Sequence, residues 1–282
     1  GRLEHRSELF NGLRLGLAAE FADRLPLRNS TSYAIASTGD RKYTTNIPWM
    51  AEYPELNALA DEPWFLERYE VPRNQSFTLE ADLRIRIRQK YIDRPEGKYI
   101  IGSKYPELGI TYKKAIKILD ADAEYDLIST TISDDLRLGL LGKLHYLIGA
   151  GRFLEFNEDM YFMDLHHFNG NKTWFTNFKL DQFRNLDYYK ESSLGNYLEM
   201  HAEHHFGGFL LNKIPYIRKL KLTEFAGMHY LYTDGIEHYT EVSLGIEKLN
   251  FIRLEVYTSF VENKMGTVGI VFGIKRSIGG QR

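Results

Sequence analysis

The stretch FTLEADLRIRIR, residues 77–88, alternates apolar and charged side chains without a break. Phe77, Leu79, Ala81, Leu83, Ile85 and Ile87 interleave with Thr78, Glu80, Asp82, Arg84, Arg86 and Arg88. Successive side chains of a β-strand point to opposite faces, whereas a helix repeats every 3.6 residues and would scatter these charges around its circumference. The segment therefore reads as a strand with one oily side and one charged side. GLRLGLAAEF (12–21), YTEVSLGIE (239–247) and FIRLEVYTSF (251–260) read the same way, with Val242, Leu244 and Ile246 set against Glu241, Ser243, Gly245 and Glu247. Helical periodicity is hard to find over any comparable window.

The alternation predicts strands over 2–10, 12–25, 76–90, 107–119, 122–133, 141–154, 159–168, 173–186, 194–207, 218–232, 237–248, 251–263 and 266–276. The weakest of these is 159–168. Most connections are short and polar; the exception is a long loop at 26–75 that holds Trp49 and Trp64. Strands of soluble sheets average five or six residues and turn their apolar face inward. Those predicted here repeatedly reach the roughly 9–11 residues that a tilted strand needs to cross a bilayer, and Glu80, Asp82, Arg84, Arg86 and Arg88 suit a wet lumen. Tyr91, Tyr146, Tyr216, Tyr230, Tyr232 and Tyr239 fall near strand ends, where interfacial aromatic girdles sit. The expected fold is an all-β, antiparallel transmembrane barrel of the outer-membrane type with about 12–14 or more strands, residues 1–282 forming its wall and 26–75 an extracellular loop.

Composition narrows the partners. The 282 residues carry a net charge of −2, which gives nucleic acid no basic footprint to grip. There is no cysteine, which removes disulfides, thiolate nucleophiles and thiolate metal ligands. No apolar run approaches the roughly 18 residues of a spanning helix. Gly1 is preceded by no methionine or signal segment, so a processed or partial chain is expected.

Four segments, SKYPELGITYKKAIK (103–117), SDDLRLGLLGKLHYLIGAGRFL (133–154), HFNGN (167–171) and HFGGFLLNKIPYIRKLKLTEFAGMHYLYT (205–233), resemble the C-terminal barrel of a Bacteroidota outer-membrane family of unknown function. Its members carry an N-terminal carboxypeptidase-regulatory-like domain ahead of the barrel. The likeness runs over nearly the whole chain and is most specific over 205–233; the ending GIKRSIGGQR departs from the aromatic terminus of many such barrels. The resemblance implies location in the bacterial outer membrane, with its lipid and lipopolysaccharide and other outer-membrane or periplasmic proteins as partners. It implies no reaction.

YLEMHAEHHF (197–206) is the densest chemical stretch, with Glu199, His201, Glu203 and His205 on one strand face. Imidazoles at i and i+2 can share an ion, yet a polar lumen wall holds such residues without one, and no metal site is expected. His204 falls on the apolar face, near the strand end. His166 and His167 precede Asn169–Gly170, a good tight-turn pair. Ser129, Ser133, His145 and Ser243 could be nominated for catalysis, but no nucleophile elbow or fixed spacing supports them. No catalytic residue and no cofactor is expected. With Arg253 and Glu255, the polar residues of 80–88 and 199–205 are read as facing the lumen. The connector GGFLLNKIPYIRKLKL (207–222) joins apolar residues to Arg218, Lys219 and Lys221, as an amphipathic connector lying at a membrane edge would or as a structured turn under the barrel would. The functional expectation is a barrel acting in transport or envelope biogenesis. A barrel enzyme, a scaffold subunit of a membrane complex and a soluble lipid-binding β-barrel remain alternatives. If the last strand descends to the periplasm, an odd strand count makes the first descend too, so at least one strand is expected before Gly1.

Overall fold

The computed structural model describes residues 1–25, 73–156, 160–171, 173–176, 178–188, 191–209, 211–235, 238–248, 252–262 and 264–274. Among these residues are thirteen strands: β1 (Arg2–Phe10), β2 (Leu13–Arg24), β3 (Asn74–Arg86), β4 (Lys90–Arg94), β5 (Gly97–Gly102), β6 (Glu107–Ala115), β7 (Tyr125–Arg137), β8 (Lys143–Phe156), β9 (Asn196–His205), β10 (Leu222–Thr233), β11 (Tyr239–Lys248), β12 (Ile252–Val261) and β13 (Lys264–Ile274). Eleven form one sheet in the order β1-β2-β3-β6-β7-β8-β9-β10-β11-β12-β13, every neighbour antiparallel. Most of the expected extracellular loop at 26–75, with Trp49 and Trp64, lies outside the described residues.

The expected closed barrel is corrected in one respect: the sheet is open, with β1 and β13 as its edges. Among the described residues two expected strands are also absent. Residues 159–168 give a short 3-10 turn, Phe162–Asp164, and residues 173–186 form no strand. Their apolar residues explain why. Phe175, Phe178, Phe183 and Leu186 come at uneven steps, so no single strand face could gather them. Instead the connection between β8 and β9 folds across one face of the sheet. Phe168, Phe183 and Leu186 pack there on Tyr197, Leu231 and Tyr239. At its far point it meets the sheet edge, where Phe175 bridges to Phe272 of β13. A hairpin, β4–β5, was not foreseen, because its strands are too short for alternation to register.

The turn Asn11–Gly12 marks one end of the sheet, called lower here. Gly12 has φ 88°, and a Cβ on it would lie 2.2 Å from the Arg86 carbonyl oxygen, so only glycine fits. The β4–β5 hairpin, the β7–β8 turn and the β9–β10 connector share this lower end. The β6–β7 and β10–β11 connections lie at the upper end.

Burial is inverted relative to a soluble sheet. On β11, Leu244 is 68% exposed while Glu241 is 0% exposed. Leu244 lies opposite Val256, which lies opposite Ile270, and all three are exposed. Met200, Met228 and Val242 continue the exposed apolar face. Among the described residues no helix is long and apolar enough to cross a membrane.

Candidate functional site: a buried ionic network

Strand register places the charged residues on one face. His145 opposes Glu203, Glu203 opposes Gly227, Gly227 opposes Ser243, and Glu247 opposes Arg253. Directly opposed residues share a face, so β8 to β12 offer their polar side chains to a single layer. The insertion between β8 and β9 covers that layer and adds Arg184.

Two guanidinium groups organise the network. Arg253 grips both oxygens of Glu203, one at 3.1 Å, and reaches Glu255 at 3.5 Å. Arg184 donates from Nε to the same Glu255 oxygen at 3.1 Å. Its backbone N–H, with that of Asn185, donates to the two oxygens of Glu241 at 2.6 and 2.8 Å. Tyr239 adds a third hydrogen bond to Glu241 at 2.6 Å. His205 bridges Glu203 at 2.5 Å and Glu247 at 3.1 Å. The Arg253 guanidinium also lies 3.6 Å from the centroid of the Phe225 ring. Such burial is tolerable because nearly every charge is paired; carboxylates stripped of water cost several kcal/mol otherwise. Tyr239, expected in an interfacial girdle, is buried inside this network instead, because its position shares parity with Glu241.

His201 and His229 form a separate pair, Nδ1 to Nδ1 at 2.9 Å, which requires one ring to donate and the other to accept. His229 Nε2, Ser243 Oγ and Glu255 Oε1 have hydrogen-bonding capacity left over. All three surround the space above Gly227, at 3.6, 2.5 and 3.8 Å from where a Cβ would stand. Among the described residues no three His, Asp or Glu side chains are arranged to hold a metal ion.

The sequence-predicted residues divide. Glu203, His205, Arg253 and Glu255 come together, and Glu199 contacts His201 at 3.4 Å. Glu80, Asp82, Arg84 and Arg86 lie on the same sheet face but outside the covered layer. Asp82 pairs with Arg84 at 3.0 Å, and Arg86 pairs with Glu107. Arg88 lies beyond the end of β3 in a turn at φ 53°, bonded to the Tyr105 hydroxyl at 3.1 Å. Sequence reasoning did not single out His229, Glu241, Glu247 or Arg184. The two glutamates were legible as the polar face of β11; Arg184 had no signal, since its role depends on a long-range fold-back.

Of the residues nominated for catalysis, His145 pairs with Asp135 at 2.5 Å. His167, read as part of a turn, bonds Ser192 at 2.6 Å. A cavity of about 780 Å³ opens at the lower end beside His145, Glu203, His205 and Glu247. Neither His167 nor Ser192 lines it. Burial lowers the basicity of both His166 and His167, His166 to about 4. His166 stacks on Tyr197 with ring centroids 3.9 Å apart.

The model of a family of unknown function, DUF5686, matches the chain over residues 1–246 through its C-terminal domain. The chain belongs to this family. No curated protein matches the chain. Within the family domain lie the whole of β1 to β10 and most of β11; Arg253 and Glu255 fall just beyond the matched residues.

Proposed function

We propose that the sheet is the wall of an integral outer-membrane β-barrel, and that the insertion between β8 and β9 plugs its lumen. One observation carries the reading: side chains that prefer water are buried and side chains that prefer oil are exposed, along strands of ten to fourteen residues. Water on the exposed face would make this arrangement costly, at about 25 cal/mol per Å² of apolar surface; lipid removes that cost. A soluble lipid-binding barrel needs the opposite arrangement, with apolar faces inward.

Closure into an even-stranded barrel takes an odd number of strands beyond the eleven. In an alternating antiparallel sheet of eleven strands the two edges run in the same direction, so β1 and β13 are not antiparallel partners for each other. The plug and the buried network favour a role in transport or envelope biogenesis in which the insertion moves or serves as a fixed scaffold, and they do not favour an open pore.

Heat-modifiable gel mobility tests the reading. Leu244→Arg and Val256→Arg, opposite each other at mid-strand on the outer face, are expected to prevent assembly, at about 2–4 kcal/mol each near the bilayer midplane. Arg86→Ala, on the inner face, is expected to assemble normally. Equal assembly of all three would remove the membrane reading.

A further inference from the structure

The connections of the sheet are sorted by charge. At the lower end, the β9–β10 connector FGGFLLNKIPYIRKLK (206–221) contains Lys213, Arg218, Lys219 and Lys221 and no acidic residue. The β4–β5 hairpin at the same end brings Lys90, Arg94 and Lys98 against Asp93 and Glu96. At the upper end the balance reverses. The β6–β7 connection offers Asp120, Asp122 and Glu124 against Lys117; Asp234 begins the β10–β11 connection and Glu262 the β12–β13 turn.

The lower connector also lies on the outer side of the sheet. Alternation puts His204 and Glu224 on the outer face with the exposed Met200 and Met228. His204 bonds the Leu141 carbonyl in the β7–β8 turn at 2.9 Å, and Glu224 is buried although its face is otherwise open. The connector thus folds against the outer rim beneath β9 and β10, with its 3-10 turn at Leu211–Lys213 touching β10. Its short helix, Pro215–Arg218, leaves Tyr216 84% exposed; Phe209, Ile214 and Leu220 are also exposed. Leu140 and Leu141 of the neighbouring turn extend the apolar rim.

We infer that this rim binds the anionic phospholipid of the leaflet that surrounds the lower end, with Lys213, Arg218, Lys219 and Lys221 on lipid phosphates and Ile214, Tyr216 and Leu220 among the upper acyl carbons. The inference rests on the membrane-barrel reading. It adds an orientation: the basic end lies in the phospholipid leaflet, on the periplasmic side, and the acidic end at the cell surface. Charge complementarity supports it, because cations beside exposed apolar residues at a rim meet both the phosphate and the hydrocarbon of one lipid layer. The upper end, with the reverse charge, offers no such match.

Native mass spectrometry of the full chain folded in detergent, with equal phosphatidylglycerol and phosphatidylcholine added, tests it. The wild-type chain is expected to retain phosphatidylglycerol preferentially. The combined variant Lys213→Gln, Arg218→Gln, Lys219→Gln and Lys221→Gln is expected to lose about tenfold or more of that preference. Asp120→Asn with Glu262→Gln at the other end should leave it unchanged. A wild-type chain that folds in detergent yet is indifferent to headgroup overturns this inference alone, as does a preference that survives in the four-residue variant. Heat-modifiable mobility confirms that each variant is folded. A chain that stays folded and monodisperse without detergent overturns the barrel reading, and the inference with it.

Discussion

The inner face of the sheet carries one kind of side chain in two different solvents. Around β1 to β3 the ladder is wet: Arg84 is 58% exposed along its side chain, and Arg2 pairs loosely with Glu4, Glu20 and Glu80 at 3.1–3.7 Å. Around β9 to β12 the ladder is dry, with Arg253 only 1% exposed and Glu255 not at all. Both regions obey the same alternation, so alternation sets which face a side chain takes and leaves its solvent open. The insertion decides the solvent. Phe183 and Arg184 arrive from more than ten positions upstream of β9 and seal the face over β9 to β12, while Asp164, bonded to Arg24 at 2.8 Å, covers only the upper end of β2 and β3, where Asn74, Ser76 and Thr78 are buried, and leaves Arg84 exposed below.

The two regions should therefore answer very differently to the same kind of substitution. Arg253→Ala leaves Glu203 and Glu255 buried without their shared partner, and a loss of about 3–5 kcal/mol is expected. Unfolding of the detergent-folded chain in urea measures it; a loss below about 1 kcal/mol would mean that water reaches the network and the contrast is false.

A smaller effect is expected from acid, and it probes the insertion itself. His166 lies outside the strands, and burial lowers its pKa to about 4 from an ordinary 6.5. The unfolded chain then binds the proton more readily than the folded one. The stability that neutral His166 permits is present above pH 6.5 and is lost as pH falls from 6.5 through 4. Melting temperatures of the parent chain and His166→Gln across that window should diverge, with the variant flatter. Parallel curves would show that the insertion does not hold this imidazole out of water.

The smallest effect belongs to the wet ladder. Arg84→Ala removes an exposed pairing with Asp82 and should cost about 0–1 kcal/mol, less still at high salt. A cost approaching that of Arg253→Ala would show that the lower part of β3 is also covered.

Much of the sheet was legible because polar and apolar residues alternate for longer than a short strand could sustain. Residues 77–86 declared their two faces outright, and Glu203 with His205 declared the polar wall of β9. What escaped was non-local. Residues 173–186 look strand-like in composition, yet Phe175, Phe178, Phe183 and Leu186 do not keep step with a pleat. Their destination depends on a surface built by β9, β10 and β11. Arg184 could not be assigned to Glu255 and Glu241 for the same reason, since those partners lie 71 and 57 residues away. The β4–β5 hairpin was lost to shortness, since five or six residues around Pro95–Glu96 carry too little pattern to stand out.

In a membrane barrel the apolar face meets lipid and the charged face does not. The chain has no cysteine, so single labels report from one site only. Ile110 and Thr111 are neighbours on β6 with opposite faces: Ile110 is exposed beside Leu83, and the Thr111 hydroxyl bonds Asp82 at 3.0 Å. Ile110→Cys and Thr111→Cys, each labelled with bimane and folded into vesicles, can be quenched by brominated acyl chains or by aqueous iodide. Bromine is expected to quench the label at 110 and iodide the label at 111. Iodide quenching at 110, without bromine quenching, would contradict the account at its root.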